Sequence, residues 1–342
     1  MVAAMLGAPA PADLTPAQLA GQRVVFAYGG PTPPRALVRR IERGEAAGVV
    51  LFSRNVQSRP HLRRTLASLQ RAATRSPVKA PLLVMVDQEG GPVLRLPGGP
   101  TRSAAQVGAT GRTATAVADG RTAGSALRAV GANVDLAPVA DVCRRGSALE
   151  RERRCYGRSA GRVTRLAGGF ARGLRSRGVA ATLKHFPGFG TAGVNTDFSA
   201  QFIRTSLGRL RAVDLRPYER LAGAARLVML STAVYPARSG RPAALAYAWA
   251  TRELRNRLRF RGVSVTDALD TPATARFGGP GAVGVETARA GTDIALFARG
   301  YGPGDRAARA LGSALSRGRL NRRSFERSVA RVLALRATLP RR

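Results

Sequence analysis

The residues of this chain best suited to chemistry lie in three stretches: Lys184-His185-Phe186-Pro187-Gly188-Phe189-Gly190, Asp197-Phe198-Ser199 and Val265-Thr266-Asp267. Similar polar residues close other short apolar runs, in Asp87-Gln88-Glu89-Gly90-Gly91, at Asp141 and at Ser231-Thr232. A carboxylate accepts hydrogen bonds from paired hydroxyls, whereas Lys and Arg only donate, so a set of both kinds fixes the orientation of a hydroxyl-rich ligand. A carboxylic acid opposite a second carboxylate is the common arrangement for cutting a glycosidic bond. The stretches point to a sugar-cleaving site, on condition that the fold carries them to one mouth.

The elements that would do so are legible in the apolar runs at 22–28, 48–53, 82–87, 133–140, 179–185, 227–232, 263–267 and 292–298. Each is short, apolar without strict alternation, and followed by a segment of helical spacing, as buried parallel strands with crossover helices read. Ser58 can cap one such helix, with Pro60 in its first turn and Leu62, Leu66, Leu69 and Ala73 on one face. A last helix is expected near 322–336. Eight such units in 342 residues predict an α/β fold, a single-domain (β/α)8 TIM-type barrel over 21–340 preceded by an extension at 1–20. In a barrel, the carboxyl ends of the strands build the site, which is where the polar residues above fall. The Pro/Gly-rich pieces at 29–34, 97–100 and 276–284 read as loops.

These residues resemble the single-domain β-N-acetylhexosaminidases of glycoside hydrolase family 3. Gly48-Val49-Val50-Leu51-Phe52-Ser53-Arg54-Asn55, Asp87-Gln88-Glu89-Gly90-Gly91, Asn133 to Val142, Lys184-His185-Phe186-Pro187-Gly188 and Ala290-Gly291-Thr292-Asp293 look like its motifs, in its order, across residues 20 to 336. The resemblance implies a retaining mechanism through a covalent glycosyl-enzyme, with Asp267 as nucleophile. It further implies that Asp87, Arg95, Arg154, Lys184 and His185 bind the sugar, that the substrate is terminal β-linked N-acetylglucosamine or a related sugar of cell-wall or peptidoglycan-derived glycans, and that no cofactor or metal is needed.

Three histidines of the family pattern are replaced here. The acid/base loop after the fifth strand reads Asp197-Phe198-Ser199 where the family has Asp-Ser-His; Gly-His-Gly has become Gly188-Phe189-Gly190; and a histidine at the tip of strand six is Thr232. Serine does not titrate near neutral pH and cannot carry a proton to the leaving oxygen as imidazole can. Of the two histidines in the chain, His61 begins a surface helix outside the mouth and His185 reads as a binding residue. Asp197 is then either the acid/base itself or the remnant of a lost dyad. The second alternative makes the protein a catalytically impaired carbohydrate- or cell-wall-binding family member.

Fifty-six Lys and Arg against 20 Asp and Glu give a net charge of +36, and Lys79 and Lys184 are the sole lysines. The arginines are dispersed, with local clusters at 144–145, 151–154 and 341–342, and aromatic residues are few. That pattern argues against a specific nucleic-acid groove but favours nonspecific association with anionic cell-wall polymers. No apolar run is long enough to span a membrane, and a monomer is expected. Cys143 and Cys155 are the sole cysteines; they stay free in a reducing compartment and bridge in an oxidising one. Met1 to Ala12 read like the tail of a signal segment without its charged start, which favours an extracytoplasmic location.

Overall fold

A computed structural model describes residues 9–340. The strands β1 (Val24–Phe26), β2 (Gly48–Leu51), β3 (Leu83–Val86), β4 (Val134–Asp135), β5 (Ala180–Phe186), β6 (Leu227–Leu230), β7 (Val263–Thr266) and β8 (Ala295–Leu296) form one 8-stranded parallel sheet. Its order is β8-β1-β2-β3-β4-β5-β6-β7, and a parallel bridge between Val265 and Ile294 joins the two ends, closing the barrel that the sequence predicts. Every expected run matches a strand; seven contain a shorter one, down to two residues in the runs 292–298 and 133–140, whereas the strand of the run 179–185 is shifted one residue later, to Ala180–Phe186.

Side chains alternate across each strand, and both faces are buried. Val25, Val50, Met85, Val134, Leu227, Val265 and Leu296 fill the barrel, while Val24, Phe26, Val49, Leu51, Val84 and Val86 turn outward onto the helices. Val332, Leu335 and Leu339 belong to the interior cluster, so the last helix (Arg322–Ala337) and the residues after it seal the amino-terminal end of the barrel. Arg336 is fully buried there and donates to the carbonyls of Pro81 and Ala80 at 2.6 and 2.7 Å and to the side chain of Gln22.

The helix Arg59–Arg75 begins as its sequence requires: the Ser58 hydroxyl accepts from the His61 amide at 3.2 Å, and Leu62, Leu66, Leu69 and Ala73 are buried. One loop expectation fails. Residues 276–284 are not a continuous loop, because a helix starts at Pro280 and runs to Ala290 after Gly279 caps it. Proline has no N–H to lose at a first helical turn, so Gly-Gly-Pro punctuates a helix start as readily as a loop. No helix among the described residues is long and apolar enough to cross a membrane. Most of the 1–12 segment and the cluster 341–342 lie outside the described residues.

Candidate active site

A cavity of about 440 Å³ opens at the carboxyl ends of the strands. Asp87, Arg95, Arg154, Lys184, His185, Asp197 and Asp267 all line it. Ser231 and Thr232 do not; both are buried, and Ser231 spends its hydroxyl accepting from the Ala233 amide.

The loop after β3 is folded around Gln88, which is fully buried. Its amide nitrogen donates to the carbonyls of Leu96 and Gly99 at 2.9 and 2.8 Å, and its oxygen accepts from the amides of Arg95 and Leu96. This clamp sets Arg95 on the cavity wall, where its Nε is buried without a hydrogen-bond partner among the described residues. The next residue, Glu89, binds Arg154 through both oxygens at 2.9 and 2.8 Å and Lys184 at 2.6 Å. Lys184 also reaches Asp87 at 2.7 Å, and Arg154 reaches Glu152 at 2.9 Å. Burial alone would raise the Glu89 carboxyl, yet Arg154 and Lys184 together hold it well below the usual carboxylate range. Burial likewise opposes the Lys184 charge, but Asp87 and Glu89 push its affinity for a proton above the ordinary value. The result is a fixed row of alternating charges that presents donors and acceptors to hydroxyl groups.

Arg154 is anchored further by the loop after β4. Its amide bonds to the Leu149 carbonyl at 2.9 Å, and its neighbour Cys155 is bridged to Cys143 with Cα atoms 6.2 Å apart. A bridge closing so short a loop is worth about 3 kcal/mol in a chain-entropy account.

Lys184 and His185 lie just before Phe186, the last residue of β5, and are joined by a cis peptide. The fully buried Asp141 accepts from His185 Nδ1 at 2.7 Å, from the His185 amide at 3.1 Å and from the Phe189 amide at 2.6 Å. These bonds fix the imidazole and leave Nε2 for a ligand. The turn that follows needs glycine: Gly188 has φ +129°, and a Cβ on Gly190 would stand 2.0 Å from the Val142 carbonyl oxygen. Phe189, where the family pattern has histidine, lines the cavity with its ring centroid 5.8 Å from that of His185.

Asp267 stands at the tip of β7, its amide bonded to the Leu230 carbonyl at 2.8 Å and its Oδ1 accepting from the Ala268 amide at 2.8 Å. Asp197 reaches the same cavity from the loop after β5. Asn195 turns that loop by accepting from the Asp197 amide at 3.0 Å through its side chain and from the Phe198 amide at 3.1 Å through its carbonyl. The Asp197 residue is exposed at the rim, but its carboxyl is pushed up to about 6 by loss of solvation over the cavity, then by the charges of Asp267 and Asp87. Ser199 does not line the cavity, and its hydroxyl accepts from the Gln201 side-chain Nε2 at 2.9 Å. Among the described residues no group of His, Cys, Asp and Glu is placed to hold a metal ion.

The sequence placed Glu89 and Asp141 at strand ends but gave neither a role in the site. Glu89 lies inside the quoted Asp87-to-Gly91 motif, so the signal was present; Asp141 reads as an ordinary strand-end residue until its contact with His185 is seen.

Residues 17–335 match the glycosyl hydrolase family 3 N-terminal domain. An uncharacterized secreted glycosyl hydrolase of Arthroderma benhamiae is 37% identical over 329 residues, covering 94% of this chain and 93% of that protein. A family 3 β-N-acetylglucosaminidase of a Paenibacillus species superposes with a TM-score of 0.89 at 33% identity; the match covers 95% of this chain but only 63% of that longer one. A β-N-acetylhexosaminidase of Beutenbergia cavernae gives a TM-score of 0.87 at 29% identity, over 95% and 99% of the two chains. The chain belongs to glycosyl hydrolase family 3, and its cavity stands where the barrel of a glycosidase keeps its site.

Proposed function

We propose that the protein hydrolyses terminal β-linked N-acetylglucosamine, or a related sugar, by a retaining mechanism in which Asp267 is the nucleophile and Asp197 is itself the acid/base. The observation that carries this reading is the pair of carboxyls on one cavity, one of them drawn towards its protonated form by burial and by the other's charge. In the first step an Asp267 oxygen bonds to the anomeric carbon as the glycosidic C–O bond breaks, and the Asp197 proton passes to the leaving oxygen. In the second, Asp197 takes a proton from water, whose oxygen attacks the same carbon and frees Asp267. Asp87, Arg95, Arg154, Lys184 and His185 hold the sugar's hydroxyls and amide between them.

The names of the similar proteins support the choice of N-acetylglucosamine. Cell-wall or peptidoglycan fragments as its source, with the basic surface adding nonspecific attraction to anionic wall polymers, follow from the sequence reading. An extracytoplasmic location fits the Cys143–Cys155 bridge and the secreted relative; a monomer remains the expected state. A second reading, a sugar-binding protein without turnover, is favoured by the absence of a histidine in Asp197-Phe198-Ser199.

Intact-protein mass after incubation with activated 2-deoxy-2-fluoro glycosides separates the two. A mass gain in the parent chain that Asp267→Ala abolishes is expected. No adduct from any sugar, in folded protein that still binds glycans, would leave the binding role.

A further inference from the structure

We propose that Phe198 is the platform on which the leaving-group sugar stacks, so that the cavity takes a disaccharide or longer glycan across Asp197 rather than a single sugar alone. The proposal rests on the glycosidase reading of the cavity but concerns the ring on the far side of the bond to be cut.

Phe198 is 74% exposed, the highest value among the large apolar side chains of the described residues, and it lines the cavity shared by Asp197 and Asp267. The other exposed aromatic rings are already covered. Arg276 lies over Phe202 at 4.8 Å, and Arg252 lies over Tyr247 at 5.7 Å. No cation or second ring covers Phe198 among these contacts. An uncovered aromatic face at the mouth of a polar cavity is unfavourable in water and suits a ligand that offers C–H groups on one side and hydroxyls at its edge. A pyranose ring has that shape.

The position along the chain supplies the second constraint. An acid at Asp197 must deliver its proton to the glycosidic oxygen, so the leaving sugar has to sit immediately outside that carboxyl. Phe198 is the next residue, and its amide is held by the Asn195 carbonyl in the turn that sets Asp197. Arg299 also lines the cavity; its backbone amide is tied to Asp270 at 2.7 Å, while its guanidinium reaches the Asp197 carbonyl at 3.5 Å, forms no ion pair among the described residues and can donate to hydroxyls at the edge of the same ring.

The test is the ratio of affinities for a sulfur-linked, uncleavable β-1,4 disaccharide of N-acetylglucosamine and for the monosaccharide, measured by calorimetry on the parent chain, Phe198→Ala and Phe198→Trp. A fall of about tenfold in that ratio for Phe198→Ala, with recovery in Phe198→Trp, is expected. An unchanged ratio in Phe198→Ala overturns the platform, as does failure of the parent to prefer the disaccharide. The outcome is independent of turnover. A platform effect without hydrolysis of the oxygen-linked disaccharide would refute the catalytic reading alone, hydrolysis without a platform effect would refute the platform alone, and absence of saccharide binding would refute both.

Discussion

If Asp197 supplies the proton, the pH dependence of catalysis must follow that carboxyl and must depend on the leaving group. A free aspartate at its ordinary value of 3.8 is protonated to only about 0.06% at pH 7, whereas one at about 6 is protonated to about 9%. The environment of the rim therefore raises the working form of the acid by roughly two orders of magnitude at neutral pH. Because the shift is upward, the competent form is complete at low pH and is lost as pH rises through 6. For substrates whose leaving oxygen needs a proton, kcat/KM should fall about tenfold per pH unit above that point. For a dinitrophenyl glycoside, which departs without a proton, that fall should be absent.

The perturbation is Asp197→Asn, which keeps the shape and removes the proton. Turnover of the β-1,4 disaccharide should drop by about a hundred- to ten-thousand-fold, with a much smaller drop for the dinitrophenyl glycoside, and the alkaline limb near 6 should vanish. The assay is initial rates on both substrates from pH 4 to 9, with folding checked at each pH by circular dichroism. An alkaline limb that survives the substitution, or equal losses on the two substrates, would refute direct proton transfer by Asp197.

Glu89→Gln leaves Arg154 and Lys184 buried with one negative charge fewer and should lower stability by about 3–5 kcal/mol, read by urea denaturation. As the Glu89 carboxyl is held below its ordinary 4.5, this contribution is present above that pH and is lost as pH falls below it, so the gap between parent and variant should be constant from pH 5 to 8 and shrink under pH 4. Ser199→His places an imidazole two residues after Asp197 and should raise disaccharide turnover; a rate at or below the parent's would count against a simple loss of histidine as the reason for the divergent loop.

The barrel was legible because both faces of its strands are buried, which writes them as short runs such as Gly48–Leu51 with no polar break. Their ends were not, since residues such as Phe52 and Ala298 remain apolar after the ladder has ended. Within the site, charged groups at strand tips were readable as a set, but their pairings were not. Nothing in one dimension says that Glu89 takes both Arg154 and Lys184, or that Asp141 meets His185, because these contacts join residues 65, 95 and 44 positions apart. Ser231 shows the opposite limit: it occupies a strand tip by sequence, yet its hydroxyl turns back onto its own loop.

His185 and Asp197 are the two groups in the cavity that invite the role of proton carrier, and their surroundings differ. Asp141 fastens His185 through both its ring and its backbone, in a buried position that suits a sugar hydroxyl met in one orientation. Asp197 sits at the rim, on a loop turned by Asn195, with no cationic side chain among the described residues hydrogen-bonded to its carboxyl and with the charges of Asp267 and Asp87 acting on it. In an aspartate–histidine pair, an imidazolium would hold such a carboxyl in its ionised form. Where Ser199 stands in place of that histidine, loss of solvation and the charges of Asp267 and Asp87 outweigh those of Arg154 and His185, and the Asp197 carboxyl is pushed up to about 6. If Asp197 is the acid, the same substitution that removes the histidine raises the carboxyl that replaces it, and the leaving-group and pH dependence of Asp197→Asn separates this reading from a lost dyad.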